Sequence, residues 1–230
     1  MWKVRIFTLY PDFFLNLKDF GIFKRAFKKK AWSIKIVNVR DFAKDKHKTV
    51  DDSPYGGGAG MILKPNILEN SFKKMIKNKK EKIIYLSPRG KVFDRKIAQK
   101  FSKEKNINIL CGHFEGIDQR VLNYRKIEEI SLGDYILSSG ESASIVFMDA
   151  IIRLLPGVLG NKKSLETETF ENNLLEYDHY TKPRIWAGKK VPNVLLSGNH
   201  AKIKDWRLKQ SEVITRRLRP DLWQKYKKKK

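Results

Sequence analysis

The sequence is poor in cysteine, in long apolar runs and in acidic residues, and each shortage excludes a class of protein. The single cysteine, Cys111, cannot form an intrachain disulfide, and with four dispersed His it leaves no zinc-ligand spacing, so we expect no metal site. No apolar run reaches membrane-spanning length, and the opening MWKVRIFTLY alternates like a strand and not like a signal peptide. No Gly-x-Ser-x-Gly nucleophile motif occurs. These absences predict a cytoplasmic protein with no membrane partner.

The acidic residues are outnumbered, since 49 Lys and Arg against 25 Asp and Glu give a formal net charge of +24. The excess is densest from Lys189 to Lys230, where 14 basic residues face three acidic ones and Trp206, Trp223 and Tyr226 are interleaved. Basic residues interleaved with aromatic ones are typical of a nucleic-acid-binding module. A solvated lysine-rich face is the simpler alternative.

Five short runs rich in β-branched residues predict strands: KVRIFTLY, SIKIVNV, KIIYLS, NINILC and IEEISL. Helical patterns at residues 72–82 and 93–105 lie between some of them, so the sequence predicts an α/β fold around a mainly parallel sheet. The apolar segment SASIVFMDAIIRLL predicts a helix that ends before Pro156 and Gly157.

Composition shifts predict two domains joined by a linker. Residues 1–160 carry the predicted sheet, residues 161–173 are polar without periodicity and predict a flexible interdomain linker, and residues 174–230 predict a small basic helical domain. Four apolar residues are expected on the inner face of its main helix: Ile203, Trp206, Val213 and Ile214.

The segment SPYGGGAGMI, residues 53–62, places four glycines within five positions. Its spacing does not fit the dinucleotide-binding fingerprint, and Met61 and Ile62 stand where a phosphate-binding loop needs Lys and Ser or Thr. Glycines still let another molecule approach the main chain closely. A functional loop and a mobile surface turn therefore both remain open.

Three predicted strands end in loops that combine glycine with polar residues: LSPRG (86–90), CGHFEGIDQR (111–120) and SLGDYILSSGE (131–141). Ligands of open α/β sheets bind beyond the carboxyl ends of the strands. The three loops therefore predict a small-molecule site held by main-chain hydrogen bonds.

Seven segments in order resemble the bacterial tRNA (guanine-N1)-methyltransferase family, TrmD, of the SPOUT class: PYGGGAGM, CGHFEGID, GDYILSSGE, RLLPGVLG, HYTKP, VPNVLLSGNH and WRLKQS. The resemblance extends from FTLYPDFF to RLRPDLW, nearly the whole chain. It implies S-adenosylmethionine-dependent methylation of guanine N1 at position 37 of tRNA, in the anticodon stem-loop, in support of reading-frame maintenance. It further implies a deep trefoil knot in residues 1–160, a homodimer with composite active sites, and Mg²⁺ as an optional aid.

Methylation of guanine N1 requires one base and one cation. The base removes the N1 proton, and the cation stabilises the negative charge that spreads to O6. By resemblance the cation is Arg153, whose alternative role is an ion pair with Asp149 one helical turn earlier. The base by resemblance is Glu168 in the linker, where the family has Asp, with Glu166 as the alternative.

Further site residues are implied by the same resemblance. The methyl donor is expected against Pro88, Gly112, Glu115, Gly116, Leu132, Gly133, Tyr135, Leu137 and Gly140. RNA is expected against Tyr55, Gly58, Asp178, His179, Ser197, Asn199, His200, Arg207, Lys209, Arg216 and Arg217.

Departures from the family pattern keep two other functions open. His113 stands where arginine is usual, Ser139 replaces a glycine and Glu168 replaces the usual Asp. The His113 and Ser139 changes imply weaker donor binding, and the longer Glu168 side chain implies a displaced base and a lower rate. The alternatives are a catalytically impaired tRNA-binding relative and a SPOUT RNA methyltransferase with another target atom.

Overall fold

A computed structural model describes residues 1–78, 80–159, 169–170 and 172–229. The chain divides into two compact units, residues 1–160 and 161–230. Each unit has its own secondary structure and is described by itself.

The first unit alternates strands and helices. The strands are β1 (Trp2–Thr8), β2 (Trp32–Asn38), β3 (Asp51–Asp52), β4 (Ile62–Leu63), β5 (Lys82–Val92), β6 (Asn106–Leu110) and β7 (Glu128–Ser131). The α-helices are α1 (Gly21–Lys28), α2 (Pro65–Met75), α3 (Arg95–Ser102), α4 (Gln119–Arg125) and α5 (Gly140–Ile152), and 3₁₀ turns cover Pro11–Phe14, Leu17–Asp19 and Val39–Phe42.

Five of these strands form one sheet in the order β2-β1-β6-β5-β7, and every neighbouring pair is parallel. The α/β class and the mainly parallel sheet are thus confirmed, and each of the five apolar runs forms one of its strands. β3 and β4 pair separately and antiparallel. Because β5 lies between β6 and β7 and both pairs are parallel, the carboxyl ends of these three strands lie side by side.

Both faces of the sheet are covered, as a parallel sheet requires. One core contains Ile6, Ile84 and Ile109 with side chains from α1, α3 and α5. The other contains Phe7 and Leu110 with side chains from α2 and α4. Burial on both faces explains why these strands read as continuous apolar runs.

The helix predicted at residues 72–82 is displaced in the structure. The observed helix α2 runs from Pro65 to Met75, because proline is well placed in the first turn and β5 begins at Lys82. The prediction was therefore wrong for residues 76–78 and 80–82. The pattern at 93–105 does contain α3, which begins after Asp94, whose carboxylate accepts a hydrogen bond from the Ile97 N–H at 2.8 Å.

The second unit contains a short hairpin, β8 (Ile185–Trp186) and β9 (Lys189–Lys190), followed by α6 (Asn193–Leu196), α7 (His200–Leu218) and α8 (Pro220–Lys229). Ser211 and Thr215 are the buried residues of α7, and the hydroxyl of Thr215 accepts the N–H of Leu175 at 2.7 Å. Val213 is exposed, so its predicted inward position was wrong. The segment that carries Leu175 packs on the Ser211 and Thr215 side and turns Val213 to solvent.

Candidate active site

A cavity of about 280 Å³ lies at the carboxyl ends of β5, β6 and β7. It is lined by residues 85–88, 112–116, 130–133 and 135–140 and by Ala143 in the first turn of α5. Residues 87–90 bulge out of β5, since Leu86 and Lys91 both pair with Ile130 and leave these four residues unpaired between them. The strand ends thus supply the cavity walls, as expected for open α/β sheets.

All nine residues predicted to bind the methyl donor line this cavity. They are Pro88, Gly112, Glu115, Gly116, Leu132, Gly133, Tyr135, Leu137 and Gly140. They come from three separate loops, so the fold and not sequence proximity brings them together. The walls also contain Tyr85, Phe114 and Ile136, which the sequence reasoning missed although each is adjacent to or within a predicted loop.

The loop after β6 touches the start of α5 at Gly140. The Gly140 N–H donates to the carbonyl of Gly112 at 3.1 Å. A Cβ on Gly140 would lie 2.5 Å from the Gly112 nitrogen and 2.8 Å from the Cys111 Cα, distances that no side chain tolerates. Glycine is therefore required at position 140 for the two backbones to meet.

A buried carboxylate lies behind the cavity wall. Glu141 is 1% exposed, and its side chain accepts hydrogen bonds from the Thr8 hydroxyl and from Nε2 of His113. Burial acts to raise the pKa of Glu141, but the hydrogen bonds from His113 and Thr8 outweigh it and hold the pKa below its usual value. Glu141 is thus an ionised anchor for the loop that carries His113.

Tyr85 places a hydroxyl in the wall at the end of the apolar run of β5. Burial raises its pKa, and the negative charge of Glu129 adds to the effect, so the hydroxyl stays protonated and can donate. A Cβ on Gly112 would lie 2.6 Å from the Tyr85 ring. The only sequence signal for this residue is a polar tip on an otherwise apolar strand.

The glycine loop lies next to the cavity and does not line it. Gly56, Gly57, Gly58 and Gly60 all have φ between 78° and 118°, so other residues would be strained there. The Glu115 N–H donates to the carbonyl of Met61 at 3.0 Å, which ties this loop to the cavity wall. Tyr55 is fully exposed at its tip.

The two predicted catalytic residues lie away from the cavity lining or outside the described residues. Arg153 follows the last residue of α5, whereas Gly140 begins that helix, so the two Cα atoms are about 20 Å apart along the axis. Burial raises the pKa of Asp149, and the charge of Arg153 opposes that rise. Glu168 and its alternative Glu166 lie outside the described residues.

The predicted RNA-binding residues of the second unit fall into two groups. Exposed groups occupy the segment before the hairpin and α7: Asp178, His179, His200, Arg207, Lys209, Arg216 and Arg217. Ser197 and Asn199 instead have local structural roles, because the Ser197 hydroxyl donates to the Val194 carbonyl at 2.7 Å and the Asn199 side chain accepts the Lys202 N–H at 3.1 Å.

Some of the exposed groups already have partners. Arg207 lies over the ring of Tyr177 at 4.8 Å, and the His179 ring is 4.8 Å from the same tyrosine. Lys209 pairs with Asp205 at 2.9 Å. The arginine face and the tyrosine plane are the kind of surface on which unpaired bases stack.

The tRNA (Guanine-1)-methyltransferase TrmD family model matches residues 2–225. The chain belongs to this family. Similar proteins named tRNA (guanine-N(1)-)-methyltransferase include one from Pelagibacter ubique, 60% identical over 99% of this chain and 100% of that protein. Those from Rhodospirillum rubrum and Bartonella tribocorum are 48% and 45% identical, over 96% and 99% of this chain and 92% and 97% of theirs. The resemblance read from the sequence is thereby confirmed.

The described part of this TrmD-family chain has neither a metal-ligand cluster nor a helix suited to span a membrane. Among residues 1–78, 80–159, 169–170 and 172–229, no three His, Cys, Asp or Glu side chains cluster so that they could hold a metal ion. In the same part of the chain, no helix combines the length and the apolar character of a membrane span.

Proposed function

We propose that this chain methylates N1 of the guanine at position 37 of tRNA, with S-adenosylmethionine as the methyl donor. The observation that carries the proposal is the convergence of three strand-end loops on one cavity, within a chain that the TrmD family matches over residues 2–225. Reading-frame maintenance and a location in the cytoplasm follow from that activity.

The residues around the cavity fit a nucleoside joined to an amino acid. The volume of about 280 Å³ is at the small end of ligand pockets. Main-chain groups of residues 112–116, 132–133 and 135–140 can hydrogen-bond polar edges, while Leu132, Ile136 and Leu137 offer apolar walls. S-adenosylmethionine supplies a methyl group that its sulfonium already activates, so the protein need only align the acceptor and remove its proton.

The linker carboxylate and the helix-end arginine supply the remaining chemistry. Glu168 takes the N1 proton, the N1–methyl bond forms as the sulfur–methyl bond breaks, and the guanidinium of Arg153 stabilises the negative charge that spreads to O6. Removal of the guanine from its stack costs little at an unpaired loop position.

Two subunits would supply each active site. Because α5 sets Arg153 about 20 Å from Gly140, one chain does not bring this arginine into its own cavity wall. This separation supports composite sites in a homodimer.

The proposal also includes the trefoil knot and a role for each part of the chain. Residues 1–160 form the donor-binding domain, residues 161–173 form the linker that carries the base, and residues 174–230 form the tRNA-binding domain. Mg²⁺ assistance stays a prediction.

Methyl transfer to tRNA tests the function directly. Purified protein with methyl-labelled S-adenosylmethionine is expected to label tRNA that has G at position 37 and not the same tRNA with A there. Mapping of the methylated atom separates N1 from a ribose hydroxyl. RNA binding without transfer at any pH would instead identify a catalytically impaired relative.

A matched pair of variants tests the base. Glu168→Gln removes the carboxylate assigned to the proton and is expected to lower kcat by at least about 100-fold. Glu166→Gln changes the neighbouring carboxylate in the same linker and should leave kcat within about threefold. The reverse result would assign the base to Glu166.

A further inference from the structure

The β8–β9 hairpin of the second unit is a small, regular structure with a defined tip. Trp186 pairs with Lys189 and Ile185 with Lys190 in antiparallel register. The two turn residues, Ala187 and Gly188, have φ of 48° and 75°, the left-handed pair that fits a two-residue hairpin. The hairpin therefore holds its side chains in fixed directions.

Two large apolar side chains of this hairpin face solvent. Trp186 is 72% exposed and Ile185 is 56% exposed. In the part of the chain that the structure describes, the Trp186 ring packs against no other aromatic ring. Neither side chain belongs to the buried core clusters, so both are accessible to a ligand.

The hairpin is surrounded by positive charge. Directly paired residues project from the same face of a hairpin, so Lys189 accompanies Trp186. Val191 donates its N–H to the Arg184 carbonyl at 3.0 Å, which extends the pairing and, by alternation, places Arg184 on that face too. Between residues 179 and 204 the chain has six Lys and Arg and no Asp or Glu. A planar ring flanked by two cations, in a segment without carboxylates, is complementary to a nucleobase and its phosphates.

We propose that the hairpin is an RNA contact in which Trp186 stacks on an unpaired nucleobase while Lys189 and Arg184 bind the flanking phosphates. The inference rests on the proposed function in taking tRNA as the ligand, and it adds a site to the residues assigned above. An aromatic ring can stack on any base, whereas the bases within a duplex are already stacked. The site therefore recognises single-stranded RNA.

Binding by the full-length chain tests the stacking. The probe is a labelled RNA stem-loop, compared with a duplex in which the loop is replaced by paired strands. Trp186→Leu keeps an apolar side chain but removes the planar ring, and it is expected to weaken stem-loop binding about tenfold while duplex binding is unchanged. Trp186→Phe keeps a stacking ring and should bind the stem-loop within about threefold of the parent protein. Val213→Ala, a change to an exposed apolar residue of α7, should have no effect.

The salt dependence of RNA affinity tests the proposed phosphate contacts. Lys189→Ala is expected to lower the slope of log affinity against log salt by about one, the change for one phosphate contact. Equal weakening of stem-loop and duplex binding by Trp186→Leu, or no weakening of either, would overturn the proposal. Binding to anionic vesicles that depends on Trp186, with RNA binding unchanged, would overturn it as well.

The methyl-transfer assay separates this inference from the proposed function. If the parent protein methylates tRNA and Trp186→Leu raises the KM for tRNA with kcat unchanged, both stand. If methylation occurs with the same KM in this variant, only the hairpin contact fails. If no methylation occurs but stem-loop binding depends on Trp186, the methyltransferase proposal fails and the RNA contact stands.

Discussion

The Nε2 atom of His113 lies 2.7 Å from one carboxylate oxygen of Glu141 and 2.9 Å from the other. His113 belongs to the loop after β6, and Glu141 is the second residue of α5. Thr8 at the end of β1 donates to the same carboxylate. One buried carboxylate therefore joins three elements at the cavity, and its ionisation affects the stability of the whole wall.

Acid should destabilise the protein partly through Glu141. Its pKa is lowered in the fold from about 4.5, so the stabilisation is fully present above that pH and is lost as the pH falls through the folded value. Glu141→Gln is expected to reduce the free energy of unfolding at pH 7 by about 1–3 kcal/mol, because His113 and Thr8 lose a charged acceptor. It should also flatten the decline in stability below pH 5. Urea unfolding at pH 7 and at pH 4 measures both.

Asp12→Asn is the control for this change, since Asp12 is an exposed carboxylate in a 3₁₀ turn. It should leave both the stability at pH 7 and the acid profile unchanged. An acid profile that is equally steep in the parent protein and in Glu141→Gln would contradict the role given to Glu141.

Replacement of Gly140 by alanine should damage donor binding. The new Cβ would lie 2.5 Å from the Gly112 nitrogen, so the loop after β6 must move away from α5. We expect at least a tenfold rise in the KM for S-adenosylmethionine, together with a lower melting temperature. Steady-state kinetics and a thermal melt measure the two effects.

The control for this substitution is Gly21→Ala at the first residue of α1. Gly21 has a φ of 48° and open space around its Cβ position, so alanine there suffers backbone strain of about 1–2 kcal/mol but no clash. Gly21→Ala should lower the melting temperature and leave the KM for the donor unchanged. A raised donor KM in both variants would mean that general destabilisation, and not the cavity, is responsible.

Hydrophobic runs and motifs in the sequence correctly predicted the five strands of the sheet and the loops that line the cavity. The five apolar runs became the five parallel strands, because strands buried on both faces need no alternation to be recognised. The nine residues predicted to bind the donor share one cavity because each loop directly follows a strand, so a strand prediction also places the loop. Strand order could not be predicted, since the apolar runs carry no signal for which neighbour each strand pairs with.

The sequence-based predictions were wrong where tertiary contacts determine which residues are buried and where an element begins or ends. Val213 fits a helical apolar stripe, yet Thr215 is the buried residue because its hydroxyl accepts the Leu175 N–H. The helical pattern at residues 72–82 does not indicate that strand β5 already begins at Lys82. Glu141 was not predicted as a buried anchor, since a lone Glu at the start of a helix is usually exposed.

Cys111 should be unreactive in the folded protein. It is buried beside Ser144, and burial together with the charge of Glu141 raises its pKa, so little thiolate forms near neutral pH. A thiol reagent such as Ellman's is expected to label none of the native protein and one thiol per chain after denaturation. Rapid labelling of the native protein at pH 7 would contradict the burial of this wall.

Arg153 offers the sharpest separation of catalysis from structure. If its guanidinium stabilises charge on O6, Arg153→Ala should lower kcat by about 100–1000-fold and leave the KM for the donor nearly unchanged. If Arg153 only balances the charge of Asp149, its loss should act through stability instead, since burial raises the pKa of Asp149 and the charge of Arg153 lowers it. Single-turnover kinetics and urea unfolding distinguish the two roles.

Asp149→Asn completes a double-mutant cycle with Arg153→Ala. An arginine that acts only through Asp149 loses that role once the carboxylate is neutral, so its removal from Asp149→Asn should leave kcat unchanged. A catalytic arginine should give the full loss of kcat in either background, because the developing charge on the guanine does not depend on Asp149. An unchanged kcat in Arg153→Ala, with or without Asp149, would assign the cation of this reaction to another residue.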